Sequence, residues 1–120
     1  MILLIEDEPA LQEVTCEYLR ALGHIVLVAS SGEQAVEIVA KQNEKISVLI
    51  TDISLPGISG QEVVERLRVR EPLLKVIYIS GFSEESAKLD RAAEATSIYL
   101  QKPFSLRSLG EKIRKLFDEA

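Results

Sequence analysis

Short apolar runs alternate along this chain with segments whose apolar residues recur every three or four positions. Runs of about four to eight apolar residues are typical of buried strands, and the second spacing is typical of amphipathic helices. The pattern predicts five strands, at residues 2–5, 24–29, 46–51, 75–80 and 97–102. It predicts five helices, from Pro9 to Gly23, from Ser31 to about Gln42, from Ser59 to before Pro72, at 83–95 and at 105–118.

Local signals support the predicted helix boundaries. Ser31 with Gln34, and Ser59 with Glu62, have the spacing of capping boxes, in which a hydroxyl satisfies a backbone N–H at the start of a helix. Gly23 is well placed to end the first helix. That helix is predicted to present an apolar face with Cys16 packed in or beside it; the face consists of Leu11, Val14, Tyr18 and Leu22.

The alternation of strands and helices indicates an α/β fold. Short connections favour a parallel sheet, because right-handed crossovers place helices over both of its faces. Strands such as VLIT and VIYI are almost continuously apolar, which is typical of strands that are buried on both sides. We predict a doubly wound, five-stranded parallel sheet of order 2-1-3-4-5, formed by residues 1–120 as one domain.

Polar side chains follow the predicted strands where ligands usually bind in such a sheet, outside the carboxyl ends. The first strand is followed by Glu6 and Asp7, and the third ends at Asp52. The fourth ends at Ser80 and the fifth at Lys102. Because the predicted order makes the first and third strands neighbours, we expect the three carboxylates to lie close together, with the hydroxyl and the amine beside them.

Three neighbouring carboxylates repel one another. At ~4 Å and an effective dielectric constant near 20, each pair costs on the order of 4 kcal/mol. Lys102 offers one compensating charge, and a divalent ion offers two. Mg²⁺ prefers one or two carboxylates with waters and a phosphate oxygen, so the set suits phosphoryl chemistry. Strand alternation points Glu8 away from Asp7, and we interpret Glu8 as a helix-start residue.

Composition narrows the setting. Hydrophobic residues make up 47% and charged residues 28%, which is normal for a globular protein. The net charge of −5 argues against direct binding of nucleic acid. The longest apolar runs are far too short for a membrane helix, and no signal peptide is recognisable. The single cysteine, Cys16, excludes an internal disulfide framework and suits a reducing compartment, so we expect a cytoplasmic protein without a membrane segment.

Four segments carry a resemblance to a known family. LLIEDEP, LITDISLPGISG, VIYISG and YLQKPF resemble, in order and spacing, the signature segments of the CheY-like response-regulator receiver domains of two-component signalling. The resemblance covers essentially the whole chain. It implies the flavodoxin-like fold and a signalling protein that accepts a phosphoryl group from a histidine kinase or a phosphotransfer protein. The segments YISGF and LQKPFS resemble the corresponding segments in the receiver domains of hybrid histidine kinases.

The resemblance also implies roles for the acids. Asp52 would be the phosphoryl acceptor, acting as a carboxylate nucleophile. Mg²⁺, or Mn²⁺ in its place, would be held by Asp7, Glu6, Asp52 and the backbone carbonyl of Ser54. The domain would assist its own phosphorylation and dephosphorylation, although it is a signalling module and not an enzyme in the ordinary sense.

The remaining implied roles concern the phosphoryl group and the output. Lys102 and Ser80 would contact phosphoryl oxygens, and Tyr99 would swing inward when the hydroxyl of Ser80 moves. The response would change partner binding on the face formed by the last two predicted helices, 83–95 and 105–118, and the strand between them. Partners would be the phosphodonor and a downstream effector or effector domain, and the protein would be a monomer or a phosphorylation-dependent dimer.

The chain departs from the usual family pattern at three positions. Glu6 stands where aspartate is more usual, which leaves open whether it contacts the metal directly or through water. Ser80 replaces the commoner threonine but keeps the hydroxyl, and Ser59 replaces a frequent aspartate but can still cap a helix. None of these departures removes a required group.

Three other functions remain as alternatives. The chain could be a receiver-like interaction module that works without phosphorylation, although the intact Asp7, Asp52, Ser80 and Lys102 disfavour this. An aspartyl-phosphate hydrolase would usually carry a second acid two residues after the nucleophile, where this chain has Ser54. A flavin-binding electron carrier would place its phosphate against the acidic end of the first strand, which is unfavourable.

Overall fold

The computed structural model describes residues 1–53, 55, 57–80, 97–101 and 104–118, without the side chains of Ser80, Ser97 and Asp118. The predicted helix over residues 83–95 lies outside these residues, as do Ser54 and Lys102. Among the helices described, none is long and apolar enough to cross a membrane.

Apart from residues 83–95, which lie outside the described residues, the strands and helices alternate as the sequence predicts. The strands are β1 (Ile2–Ile5), β2 (Val26–Ala29), β3 (Val48–Asp52), β4 (Lys75–Ser80) and β5 (Ser97–Gln101). The described helices are α1 (Pro9–Ala21), α2 (Gly32–Lys41), α3 (Gly60–Arg70) and α4 (Leu106–Asp118).

All neighbouring strands are parallel, and their order is β2-β1-β3-β4-β5. The predicted sheet topology is therefore confirmed. Ile2 of β1 pairs with Val26 on one side and with Val48 on the other, so β1 and β3 run side by side and end at the same edge. Their carboxyl ends are the ends that carry the predicted acids.

Helices cover both faces of the sheet, and a separate hydrophobic core lies between the sheet and the helices on each face. Successive residues of a strand point to opposite faces, so Leu3 and Ile5 enter one core while Ile2 and Leu4 enter the other. The first core is completed by residues of α2 and α3 that include Ala35, Val39, Val63, Val64 and Leu67. The second is completed by residues of α1 and α4 that include Cys16, Leu19, Leu109, Ile113 and Leu116.

The start of two strands differs from the prediction. β2 begins at Val26, and Ile25, which was predicted to lie within it, is 63% exposed. β3 begins at Val48, although Ile46 is buried. The backbone N–H of Ser47 donates to the carbonyl of Met1 at 2.9 Å, outside the ladder that starts at Ile2. Burial alone did not reveal where strand pairing begins.

The buried face of α1 also differs from the predicted one. Val14 and Leu22 are each about half exposed, at 50% and 51%, whereas Thr15, Cys16 and Leu19 are buried. The prediction that Cys16 packs on the buried side is confirmed.

The predicted helix-end signals are confirmed. Ser31 accepts a hydrogen bond from the N–H of Gln34, and Ser59 accepts one from Glu62, each at 3.1 Å. Gly23 has a φ of 98°, which is accessible to glycine at little cost, and its N–H donates to the carbonyl of Arg20. These ends fix where each helix leaves the sheet.

Candidate functional site

Three carboxylates converge at the carboxyl edge of the sheet. Glu6, Asp7 and Asp52 each offer one oxygen, and these oxygens lie within 4.8 Å of one another. Glu6 is buried, Asp52 is half-buried and Asp7 is exposed, so the group runs from the interior to the surface. The pairing of Ile5 with Thr51 explains the convergence, because Glu6 and Asp52 are the next residues after this pair at the ends of the two neighbouring strands.

Glu6 is held by its own strand and by the turn into α1. Its backbone N–H donates to the carbonyl of Ala29 at 3.0 Å, and its carboxylate Oε2 accepts the N–H of Glu8 at 3.1 Å. Glu8 occupies the N-cap position of α1, where its side chain is exposed and makes no capping hydrogen bond. The acidic cluster therefore contains Glu6 and Asp7 but not Glu8.

Gln12 ties together the ends of β1 and β2 beside the acids, and the sequence did not single it out. Its Nε2 lies 2.9 Å from the carbonyl oxygen of Glu6, 3.4 Å from that of Ala29 and 3.3 Å from the Oγ of Ser30. The one sequence feature that could have indicated Gln12 is its position four residues after Glu8, about one helical turn from the start of α1.

The backbone after Asp52 is closely packed. The Oγ1 of Thr51 donates to the carbonyl oxygen of Asp52 at 3.0 Å, and the N–H of Gly60 donates to the carbonyl of Ile53 at 3.3 Å. A Cβ on Gly60 would collide with the carbonyl oxygen of Asp52. Glycine at this position therefore lets α3 begin directly against the end of β3.

A carboxylate from α2 also reaches the connection between β3 and α3. Oε1 of Glu33 accepts the N–H of Ile58 at 3.2 Å. Gly57, with a φ of 79°, packs against the same carboxylate. These contacts hold the connection that follows Asp52 against the start of α2.

Of the other predicted site residues, the structure describes Tyr99 and the backbone of Ser80. Ser80 ends β4, and its backbone pairs with Gln101 of β5, but its side chain is not described. Tyr99 lies on β5, is half-buried and stacks on Tyr78 of β4. Ser54 and Lys102 lie outside the described residues, so their predicted contacts stay predictions.

The acids fit the binding of a hard divalent cation. Mg²⁺ takes oxygen ligands and usually keeps several waters, so it is bound through one or two carboxylates and not enclosed by protein. A buried, a half-buried and an exposed carboxylate meet these needs, because the exposed side leaves room for water and a phosphate oxygen. Glu6, Asp7 and Asp52 are the described residues that would hold such an ion.

Comparison with known proteins agrees with this geometry. A family model for the response regulator receiver domain matches residues 2–114. The chain belongs to this family. The response regulator receiver protein CpdR of Brucella abortus (strain 2308) is 34% identical to this receiver domain over 115 residues, which cover 96% of this chain and 94% of CpdR.

Two further similarities concern a kinase and a solved structure. The sensor kinase CckA of Brucella abortus (strain 2308) is 30% identical over 118 residues, which are 98% of this receiver domain but 12% of the kinase. The crystal structure of the response regulator TrrA of Thermotoga maritima in complex with Mg²⁺-BeF superposes with a TM-score of 0.80 at 33% identity, covering 96% of each chain. The receiver domain spans less than a third of several relatives, CckA among them.

Membership of the family confirms the broad prediction. The protein is a receiver domain of two-component signalling, a class of signalling domains that interact with histidine kinases and effectors. Receiver domains typically bind Mg²⁺, and this one carries an acidic cluster formed by Glu6, Asp7 and Asp52.

Proposed function

We propose that this receiver domain accepts a phosphoryl group on Asp52 from a phosphohistidine donor, in a reaction that depends on Mg²⁺. The convergence of Glu6, Asp7 and Asp52 at one edge of the sheet is the observation that carries the proposal. Asp52 is half-buried and Asp7 beside it is exposed, so the group of acids extends to the surface from which a donor would approach.

The chemistry follows from the carboxylate as nucleophile. One oxygen of Asp52 attacks the phosphorus atom, an O–P bond forms and the P–N bond of phosphohistidine breaks. The electron pair of that bond goes to the imidazole nitrogen of the donor, which takes up a proton. Bound Mg²⁺ would supply positive charge against the phosphoryl oxygens and the acids.

The residues around Asp52 would each hold one part of this arrangement. Asp7 and Glu6 would bind the cation with Asp52, and the backbone carbonyl of Ser54 would add a further ligand. Lys102 and Ser80 would bind phosphoryl oxygens, as the resemblance to the family implies. The same constellation would later orient a water molecule, so the domain would assist its own dephosphorylation.

Phosphorylation would change partner binding through Tyr99 and through the face formed by residues 83–95, β5 and α4. We propose that residues 1–120 act as one receiver domain in the cytoplasm, which the single cysteine Cys16 suits. A histidine kinase or a phosphotransfer protein would donate the phosphoryl group. The phosphorylated domain would act on an effector, or on an effector domain of a longer chain. The similarity to the receiver domain of the hybrid histidine kinase CckA supports a hybrid kinase as one kind of longer chain in which this domain would act.

The proposal is tested by intact mass after incubation with acetyl phosphate and Mg²⁺. The wild-type protein should gain the mass of one phosphoryl group, and neither Asp52→Asn nor a sample with EDTA should gain it. Circular dichroism should show that the variant is folded. A wild-type protein that takes up no phosphoryl group from either acetyl phosphate or a phosphorylated histidine kinase would instead indicate an interaction module that works without phosphorylation.

A further inference from the structure

Two tyrosine rings lie against each other on β4 and β5, the two strands that follow β3 in the sheet. Tyr78 of β4 pairs directly with Tyr99 of β5, and their ring centroids are 5.3 Å apart with an interplanar angle of 14°. Pairs of aromatic rings at such distances attract each other beyond the effect of burial alone. The contact therefore favours the position of Tyr99 that the structure shows.

The two rings differ in how firmly the protein holds them. Tyr78 is 6% exposed and belongs to the core formed with α2 and α3, whereas Tyr99 is half-buried at the margin of that core. A ring fixed in a packed core has little freedom to move. Tyr78 is thus the more deeply packed member of the pair, and Tyr99 is the member nearer the surface.

The pair is also close to the acceptor along the sheet. Asp52 pairs with Ile79, the residue that follows Tyr78, and the N–H of Ile53 donates to the carbonyl of Ile79 at 3.0 Å. The segment of β4 that carries Tyr78 therefore lies between Asp52 and β5. A change at the acceptor would therefore reach the strand of Tyr78 first and the strand of Tyr99 second.

We propose that Tyr78 is a positioning residue for Tyr99: its ring holds the Tyr99 ring against β4 and so sets how readily phosphorylation of Asp52 changes the surface of β5. The second half of this statement rests on the proposed function, whereas the first half concerns the unmodified protein. Removing the ring of Tyr78 should shift the equilibrium between the positions of Tyr99 by roughly 2- to 12-fold, as expected for one aromatic pair.

Nuclear magnetic resonance of the full chain with ¹³C-labelled tyrosine tests the proposal. Tyr99→Phe assigns the Tyr99 signals. The readout is the cross-relaxation between the Tyr99 ring and the methyl groups of the core formed with α2 and α3, because loss of the neighbouring ring current would move the chemical shifts by itself. Tyr78→Phe keeps a stacked ring and should keep these contacts of Tyr99, whereas Tyr78→Leu should weaken them. Tyr18→Leu, on the opposite face of the sheet, is the matched control and should leave them unchanged. Beryllofluoride with Mg²⁺ then measures the response of Tyr99 to a phosphoryl mimic in each variant.

The outcomes separate this inference from the proposed function. Unchanged core contacts of Tyr99 in Tyr78→Leu, or equal losses of contact in Tyr78→Leu and Tyr78→Phe, would overturn the stacking role even if Asp52 takes up phosphate normally. Contacts that weaken only in Tyr78→Leu support the role even if no phosphate is incorporated, in which case the proposed function alone fails. If Tyr78→Leu does not fold, cross-relaxation between the two rings in the wild-type protein decides, and its absence would overturn the proposal.

Discussion

Asp7 and Asp52 present carboxylate oxygens within 4.8 Å of each other, although they follow different strands and one is exposed while the other is half-buried. Their proximity results from the direct pairing of β1 with β3. Two negative charges at this distance are unfavourable unless a cation or a proton lies near them. The topology of the sheet therefore brings together acids that a bound cation would stabilise.

Replacing Asp7 by asparagine should weaken Mg²⁺ binding by roughly tenfold or more, because a charged ligand is lost. In EDTA the same variant should be more stable than the wild type by on the order of 1 kcal/mol, because repulsion with Glu6 and Asp52 is relieved. Titration calorimetry and urea denaturation measure the two effects.

Glu8→Gln is the matched control, because Glu8 is the next acid along the chain and lies outside the acidic cluster. It should bind Mg²⁺ as the wild type does, apart from a small loss of long-range attraction. Equal weakening in Asp7→Asn and Glu8→Gln would show that net charge, and not a defined site, governs the binding.

The sequence was sufficient to predict that Glu6, Asp7 and Asp52 converge, because the topology follows from a simple alternation. Five βα units with short connections leave few allowed arrangements, and the order that was predicted makes the strands of Asp7 and Asp52 neighbours. The strength of the prediction came from acids at two strand ends, since either acid alone would be compatible with an ordinary turn or cap.

Gly60→Ala should destabilise the protein by about 1–3 kcal/mol and slow its phosphorylation, because the added methyl group would push the carbonyl of Asp52 out of place. Urea denaturation and the rate of phosphate uptake are the measurements. Gly110→Ala in α4 is the control, since its Cβ would meet side-chain atoms of Leu22 and Tyr18 at 3.1 and 3.2 Å, and these can shift. A normal phosphorylation rate in Gly60→Ala would disprove the importance of this close packing.

Gln12→Ala should lower the free energy of unfolding by about 1 kcal/mol, because the amide that joins the ends of β1 and β2 is lost. Mg²⁺ affinity should fall as well, since Glu6 then loses a restraint on its backbone. Gln61→Ala, at an exposed position of α3, should change neither quantity. If the two variants behave alike in denaturation and calorimetry, Gln12 does not support the site.

His24 should make the protein less stable at mildly acidic pH. Burial, followed by the positive charge of the amino terminus, lowers the pKa of His24 below its ordinary value of 6.5. Below pH 6.5 the unfolded chain therefore binds a proton more readily than the folded one, so stability falls as the pH drops from 6.5 towards the folded pKa and then levels off. Above pH 6.5 this contribution is constant.

His24→Gln provides the comparison for that prediction, since His24 is the one histidine of the chain. Urea denaturation between neutral and mildly acidic pH should show a steeper loss of stability in the wild type than in the variant. Parallel curves would mean that His24, which stacks on Phe117 at 5.5 Å, protonates equally well in both states.

The features that sequence reasoning missed depend on packing between elements. The apolar spacing of α1 pointed to Val14 and Leu22, yet the buried residues of this helix are Thr15, Cys16 and Leu19. Gln12 was missed because its partners are backbone carbonyls and a hydroxyl on two different strands. Periodicity reports which residues share a face, but not how that face meets its neighbours.

Locating the phosphoryl group tests the central claim most directly. After incubation with acetyl phosphate and Mg²⁺, borohydride reduces an aspartyl phosphate to homoserine, and peptide mass spectrometry identifies the residue that was converted. We predict conversion at Asp52 and at no other acid, and none without the phosphodonor. Conversion at Glu6 or Asp7, or phosphate uptake that persists in Asp52→Asn, would contradict the account.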